Sequence, residues 1–173
     1  MTRGRIGMSF GNGFKTYLEI PLEQTGIDQA VFFPDLLDFL IWENYGLTDK
    51  AIVGYFRRLN QSQADLCAEH LRQEITALLD DDLEVESEEA LTLLGQVVAE
   101  QERFDEFVAV ARQMGSRAWR PVVRLADIAM RRRQEPLAMK VLEAAMTKGD
   151  HLDLLTKKYE KLKLGHWSPD PKA

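Results

Sequence analysis

Cysteine pairs, clustered histidines and long apolar runs are missing from this sequence. Its one cysteine, Cys67, cannot form an intramolecular disulfide, and three histidines are scattered over 173 residues. No apolar run approaches the roughly 18 residues that a membrane span needs, so no span is expected. The opening "MTRGRIGMSF" has two arginines but no apolar segment or small-residue cleavage site behind them, which does not fit a secretory signal. With a lone cysteine of the buried, structural kind, these absences point to the cytoplasm.

Residues able to do chemistry are also scarce. Cys67, His70 and Glu74 fall at i, i+3 and i+7, one stripe of a helix that mixes soft and imidazole donors. No second donor cluster completes a closed zinc site, so the expectation is a core Cys67 beside an exposed His70 paired with Glu74 at i+4. Asp80, Asp82, Glu84 and Glu86 alternate as calcium ligands can, but Leu91 stands twelfth from Asp80 where an EF-hand needs glutamate. The glycines before Phe14 do not form the G-x-x-x-x-G-K-[ST] pattern of a phosphate loop, and no G-x-S-x-G elbow occurs. The expectation is a protein that is not an enzyme, with no catalytic, cofactor-binding or metal-binding residues.

What is present is helical pattern. Apolar residues make up 45% and charged residues 29%, enough for a chain of this length to bury a core unaided. Residues 1–33 stand apart: Gly4, Gly7, Gly11 and Gly13 interrupt helix, and "TYLEIPL" alternates so that Leu18, Ile20 and Leu22 would share one face of a short extended arm. Residues 34–165 form the expected helical domain. In its first part, 34–80, Pro34 opens an apolar helix through Trp42 that ends at Gly46, Thr48 caps a second helix and Ser62 a third. The acidic "DDDLEVE", Asp80 to Glu86, reads as a solvated connector, and Ser87 as the cap of the next helix. Residues 166–173, rich in proline, form a tail.

From Ser87 onward the pattern repeats. Leu91, Leu94, Gly95 and Val98 share one helical face, a break at Glu102 and Arg103 follows, and Phe104, Phe107, Val108 and Ala111 begin another. Shifting from Gly95 to Ala126 (126 − 95 = 31) finds Val122, Leu125, Ala126 and Ala129, then Ala138, Met139, Leu142 and Ala145. Pro136 opens this last helix, Lys148 and Gly149 close it, and Asp150 can cap a final one. The stretch 87–165 resembles the tetratricopeptide repeat, W-x2-L-G-x2-Y, then A-x3-F, then P, in Leu94-Gly95, Gln101 and Phe104-Asp105-Glu106, and again in Leu125-Ala126, Ala138 and Ala145. It departs where Leu91 and Val122 stand in place of tryptophan, where Phe107 and Ala111 exchange large and small, and in the absent closing proline. The fold class is therefore all-α, stacked helical hairpins as a short solenoid or an irregular bundle, with a short extended N-terminal arm. The resemblance implies a module that holds another protein.

Charge suggests where. Residues 61–106 contain fourteen acids against two arginines, and residues 116–148 eight bases against three acids. Arg117, Arg120, Arg124 and Arg131 recur at three-, four- and seven-residue steps as a basic stripe, with Trp119 alongside. They are the candidate partner-binding residues, suited to an acidic segment gripped by forked hydrogen bonds; the competing reading is a solvated face neutralised by Asp127. Trp167 either folds back or meets a partner. A second function class is a helix-turn-helix regulator over residues 48–79, with Ser62, Gln63 and Arg72 as DNA contacts. The local acidity and the net charge of −6 oppose nucleic acid.

Overall fold

The computed structural model describes residue 16, residues 18–43 and residues 49–168, and among them the regular structure is helical, without a strand. The helices are α1 (Gln29–Trp42), α2 (Asp49–Phe56), α3 (Gln61–Asp80), α4 (Glu84–Gln101), α5 (Phe104–Met114), α6 (Trp119–Arg131), α7 (Glu135–Ala145) and α8 (Leu152–Lys163). Two units emerge, residues 1–70 and 71–173, with the division inside α3. The expected glycine breaks between Gly4 and Gly13, the Gly46 end and the Thr48 cap lie outside the described residues.

In the first unit, α1 begins earlier than Pro34 because Asp28 accepts the Ala30 N–H at 2.9 Å, which satisfies a first-turn donor. Pro34 thus sits inside the helix. The extra turn carries Phe32 and Phe33 into the core, ahead of Leu36, Leu37, Leu40 and Ile41. Phe33 meets Tyr55 of α2 with ring centroids 6.5 Å apart. The helix is less immersed than its composition suggests, since Trp42 remains 56% exposed. Within the described part of the arm, Leu18 is buried and Ile20 exposed, so they do not share a face. Leu22–Gln24 is a 3-10 turn, closed by bonds from the Thr25 backbone N–H and hydroxyl to the Leu22 carbonyl.

At the start of α3 the cap is Asn60, not Ser62. Asn60 Oδ1 accepts the Gln63 N–H at 2.9 Å, and Gln63 Oε1 accepts the Asn60 N–H at 3.1 Å. This reciprocal pair satisfies two donors at once.

In the second unit, α3 and α4 run into the acidic stretch from both sides and leave only Asp81–Leu83 between them. Asp82 takes the left-handed conformation, φ 61°, and the Leu83 N–H reaches the Leu78 carbonyl at 2.8 Å. Ser87 consequently lies buried inside α4, its hydroxyl donating to the Glu84 carbonyl. Helices α4 and α5 form one hairpin and α6 and α7 a second; α4 packs on α6, α5 on α7, and α8 on α7.

The 31-residue step is visible in the backbone. Helices α5 and α7 have the same length and are offset by that step at both ends (135 − 104 = 31; 145 − 114 = 31). Glu102 and Arg133 both take left-handed φ, 57° and 59°. After each, a matching bond closes the helix, Arg103 N–H to Val98 carbonyl at 3.0 Å and Gln134 N–H to Ala129 carbonyl at 2.9 Å, the Schellman pattern. Pro136 stands in the first turn of α7 as expected. The final helix starts after His151 without a side-chain cap, so Asp150 does not serve as one. A 3-10 turn, Gly115–Ala118, links the hairpins, and Arg117 belongs to it rather than to α6. It fits tightly against the following loop: a Cβ on Gly115 would lie 2.9 Å from the Lys148 carbonyl.

Candidate partner-binding face

Much of the charge contrast between residues 61–106 and 116–148 is spent inside the second unit. Arg120 donates to Glu88 at 3.1 Å, Arg117 lies 3.7 Å from Glu84, and Lys140 reaches Asp105 at 2.5 Å. Arg132 donates at 2.5 Å to the Ala99 carbonyl and at 2.9 Å to Glu100. In each case a base of the second hairpin region meets an acid or carbonyl of the first. Exposed pairs of this kind each contribute little, and all of them bridge one hairpin region to the other. Burial pushes the Glu88 carboxyl up, opposed by the charges of Arg120 and His151. Lys140 holds exposed Asp105 below its ordinary value through its hydrogen bond and its charge.

The candidate stripe therefore divides. Arg117 and Arg120 are engaged by α4, and the Arg120 guanidinium also lies over the half-buried Trp119 ring, 5.1 Å from its centroid. The Trp119 and His151 rings meet at a tilt, with centroids 5.5 Å apart. Arg124, half-buried, and Arg131, exposed, form no ion pair among the described residues. Asp127 does not neutralise the solvated stripe: it is 2% exposed, and its Oδ1 accepts the Trp167 Nε1–H at 2.8 Å. Trp167 has folded back, with the Lys158 ammonium 5.4 Å from its ring centroid. That contact spans 40 residues, beyond the reach of helical periodicity. An Asp within an otherwise basic stripe and a tryptophan in the tail were the available hints, and nothing in their spacing links them.

Cys67, His70, Gln63 and Arg72 are engaged within the fold. Cys67 is buried in the first unit, and burial pushes its thiol up to about 12, leaving it a poor thiolate. His70 Nε2 lies 2.7 Å from Asp38 Oδ1 and is largely buried, where an exposed His70 paired with Glu74 was expected. Among the proposed DNA contacts, Gln63 is buried in the α3 cap and Arg72 donates to Glu106 at 2.8 Å; Ser62 is exposed. No described helix is long and apolar enough to cross a membrane. No family model, curated protein or solved structure matches the chain.

Proposed function

We propose that this chain is a non-catalytic protein-interaction module of the cytoplasm, an adaptor, scaffold or assembly factor built on tetratricopeptide-like units. One observation carries the reading: the 31-residue step read from apolar residues recurs in the left-handed turns at Glu102 and Arg133 and in the matched ends of α5 and α7. Hairpins repeated in register present successive helix faces side by side, an arrangement suited to an extended or helical segment of another protein. The buried thiol of Cys67 and the engagement of Gln63 and Arg72 inside the fold favour this reading over an enzyme or a DNA-binding regulator.

The test is affinity capture by the tagged full chain from its own cell extract, with and without nuclease. A stoichiometric protein that survives nuclease and weakens with salt is the expected result. Loss of every bound protein on nuclease treatment, or no capture at all, would remove the reading.

A further inference from the structure

We infer that the face of α6 bearing Arg124 and Arg131, with Trp167 hydrogen-bonded to the Asp127 that lies between them in sequence, binds an acidic peptide segment. The inference rests on the interaction-module reading and deepens it by naming the site and the chemistry of its ligand. Arg117 and Arg120 are occupied by Glu84 and Glu88. What remains for a visiting carboxylate is the pair that makes no ion pair among the described residues.

Arg124 and Arg131 are seven residues apart on one helix, which sets their Cα atoms about 10 Å apart on the same side. Asp127 lies between them in sequence and would repel an acid if its carboxylate faced solvent. Instead it is buried and hydrogen-bonded to the Trp167 indole. A ligand spanning this face meets an arginine at either end, while the Trp167 ring that holds Asp127 carries the Lys158 ammonium over it. Two carboxylates about 10 Å apart match it, and an extended polyproline-like segment, rising about 3.1 Å per residue with three residues per turn, provides them at i and i+3. Arginine forks bind carboxylates in pairs of charge-assisted hydrogen bonds. Trp167 is thus a positioning residue, holding Asp127 out of the ligand's way. A nucleic acid gains affinity from many phosphate contacts, whereas this face offers two arginines on a chain of net charge −6.

The test is fluorescence anisotropy with a labelled peptide Gly-Gly-Glu-Pro-Pro-Glu-Gly-Gly, its counterpart with both Glu replaced by Gln, and a labelled oligothymidine. The full chain is compared with Arg124→Gln/Arg131→Gln, with Trp167→Phe and Trp167→Ala, and with Arg112→Gln, which alters an exposed arginine of α5. Circular dichroism and the denaturation midpoint verify that each variant is folded. The acidic peptide should bind, with the Gln peptide and the double variant each weaker by about tenfold or more. Arg112→Gln should leave binding unchanged, and Trp167→Phe, which keeps an aromatic ring but loses the N–H, should weaken it less than Trp167→Ala.

Equal binding of the Gln peptide, retention by the double variant, or an equal loss in Arg112→Gln would overturn the inference. So would tighter binding of the oligonucleotide through the same arginines. Extract capture separates the two levels: the same protein held by wild type and double variant would overturn this face while the module reading stands.

Discussion

Gly95 of α4 lies against the ring of Phe107 of α5, so close that a Cβ on residue 95 would stand 3.1 Å from Phe107 Cε2. One repeat later the corresponding residues are Ala126 and Ala138, both fully buried. The first hairpin combines no side chain with a large ring, and the second combines two small side chains. The exchange of large and small that separates this chain from the tetratricopeptide pattern at Phe107 is thus accommodated inside the hairpin by Gly95.

Gly95→Ala should therefore destabilise the protein. A mid-helix alanine gains about 1 kcal/mol over glycine, but Phe107 is fully buried, and overpacking costs about 1–3 kcal/mol. In a Phe107→Leu background the ring atom it strikes is gone, and Gly95→Ala should become stabilising. Urea denaturation of the four proteins in the cycle measures this change of sign; additive effects would show that the ring does not set the spacing.

The turn and helix faces of the second unit were legible because they depend on local chemistry. Phe104, Phe107 and Ala111 at helical spacing fix α5, and the break at Glu102 follows from where the first apolar face stops. The caps were misread at Ser62 and Ser87 because a hydroxyl near a helix start is only one of several acceptors within reach: Asn60 acts two residues earlier, and α4 extends to Glu84. The face was half legible. The basic stripe was evident, but its division depends on partners 32 to 40 residues away, Glu88 for Arg120 and Trp167 for Asp127, and no local spacing encodes those pairings.

The stitching of the hairpins predicts a charge-swap result. Arg120→Glu places a second carboxylate beside Glu88, and the expected loss is about 1 kcal/mol, whereas Arg131→Glu should cost less because its described surroundings contain no ion-pair partner. Glu88→Arg with Arg120→Glu should recover most of the loss. Thermal denaturation of these variants decides, and equal losses at positions 120 and 131 would discount the Glu88 contact.

Two carboxyls should respond oppositely to pH. Glu88 is raised above its ordinary 4.5, first by burial, so the folded state holds its proton more tightly than the unfolded one. Its contribution to stability falls as pH rises from about that value through the folded pKa. Asp105 is lowered from 3.8 by Lys140, and its contribution is lost as pH falls below that value. Relative to Glu88→Gln, the wild type should become less stable as pH rises; relative to Asp105→Asn, it should become more stable. Denaturation midpoints across an acid series give both slopes.

Two left-handed glycines should differ in tolerance. Gly165 ends α8 at φ 72°, with nothing close to where a Cβ would lie, so alanine there costs about 1 kcal/mol for the backbone alone. Gly149, at φ 105°, abuts the Ser116 hydroxyl, which accepts the His151 N–H. Alanine at 149 adds a collision to the strain, and its loss in denaturant midpoint should be clearly larger.

The last contrast concerns polar groups at matching positions of the two hairpins. Gln96 and Asp127 are 31 residues apart (127 − 96 = 31), and both are buried. Asp127 is satisfied by Trp167, whereas Gln96 Oε1 has no hydrogen-bond partner among the described residues. A buried, unmade hydrogen bond costs about 1–3 kcal/mol, so Gln96→Met, similar in length and without the amide, should be neutral or stabilising. Asp127→Leu strands the Trp167 N–H and removes a satisfied group, and should destabilise. Denaturation midpoints that move in these opposite senses would separate a polar residue tolerated by the fold from one that anchors the chain's return to α6. A large loss from Gln96→Met would show instead that its amide is engaged.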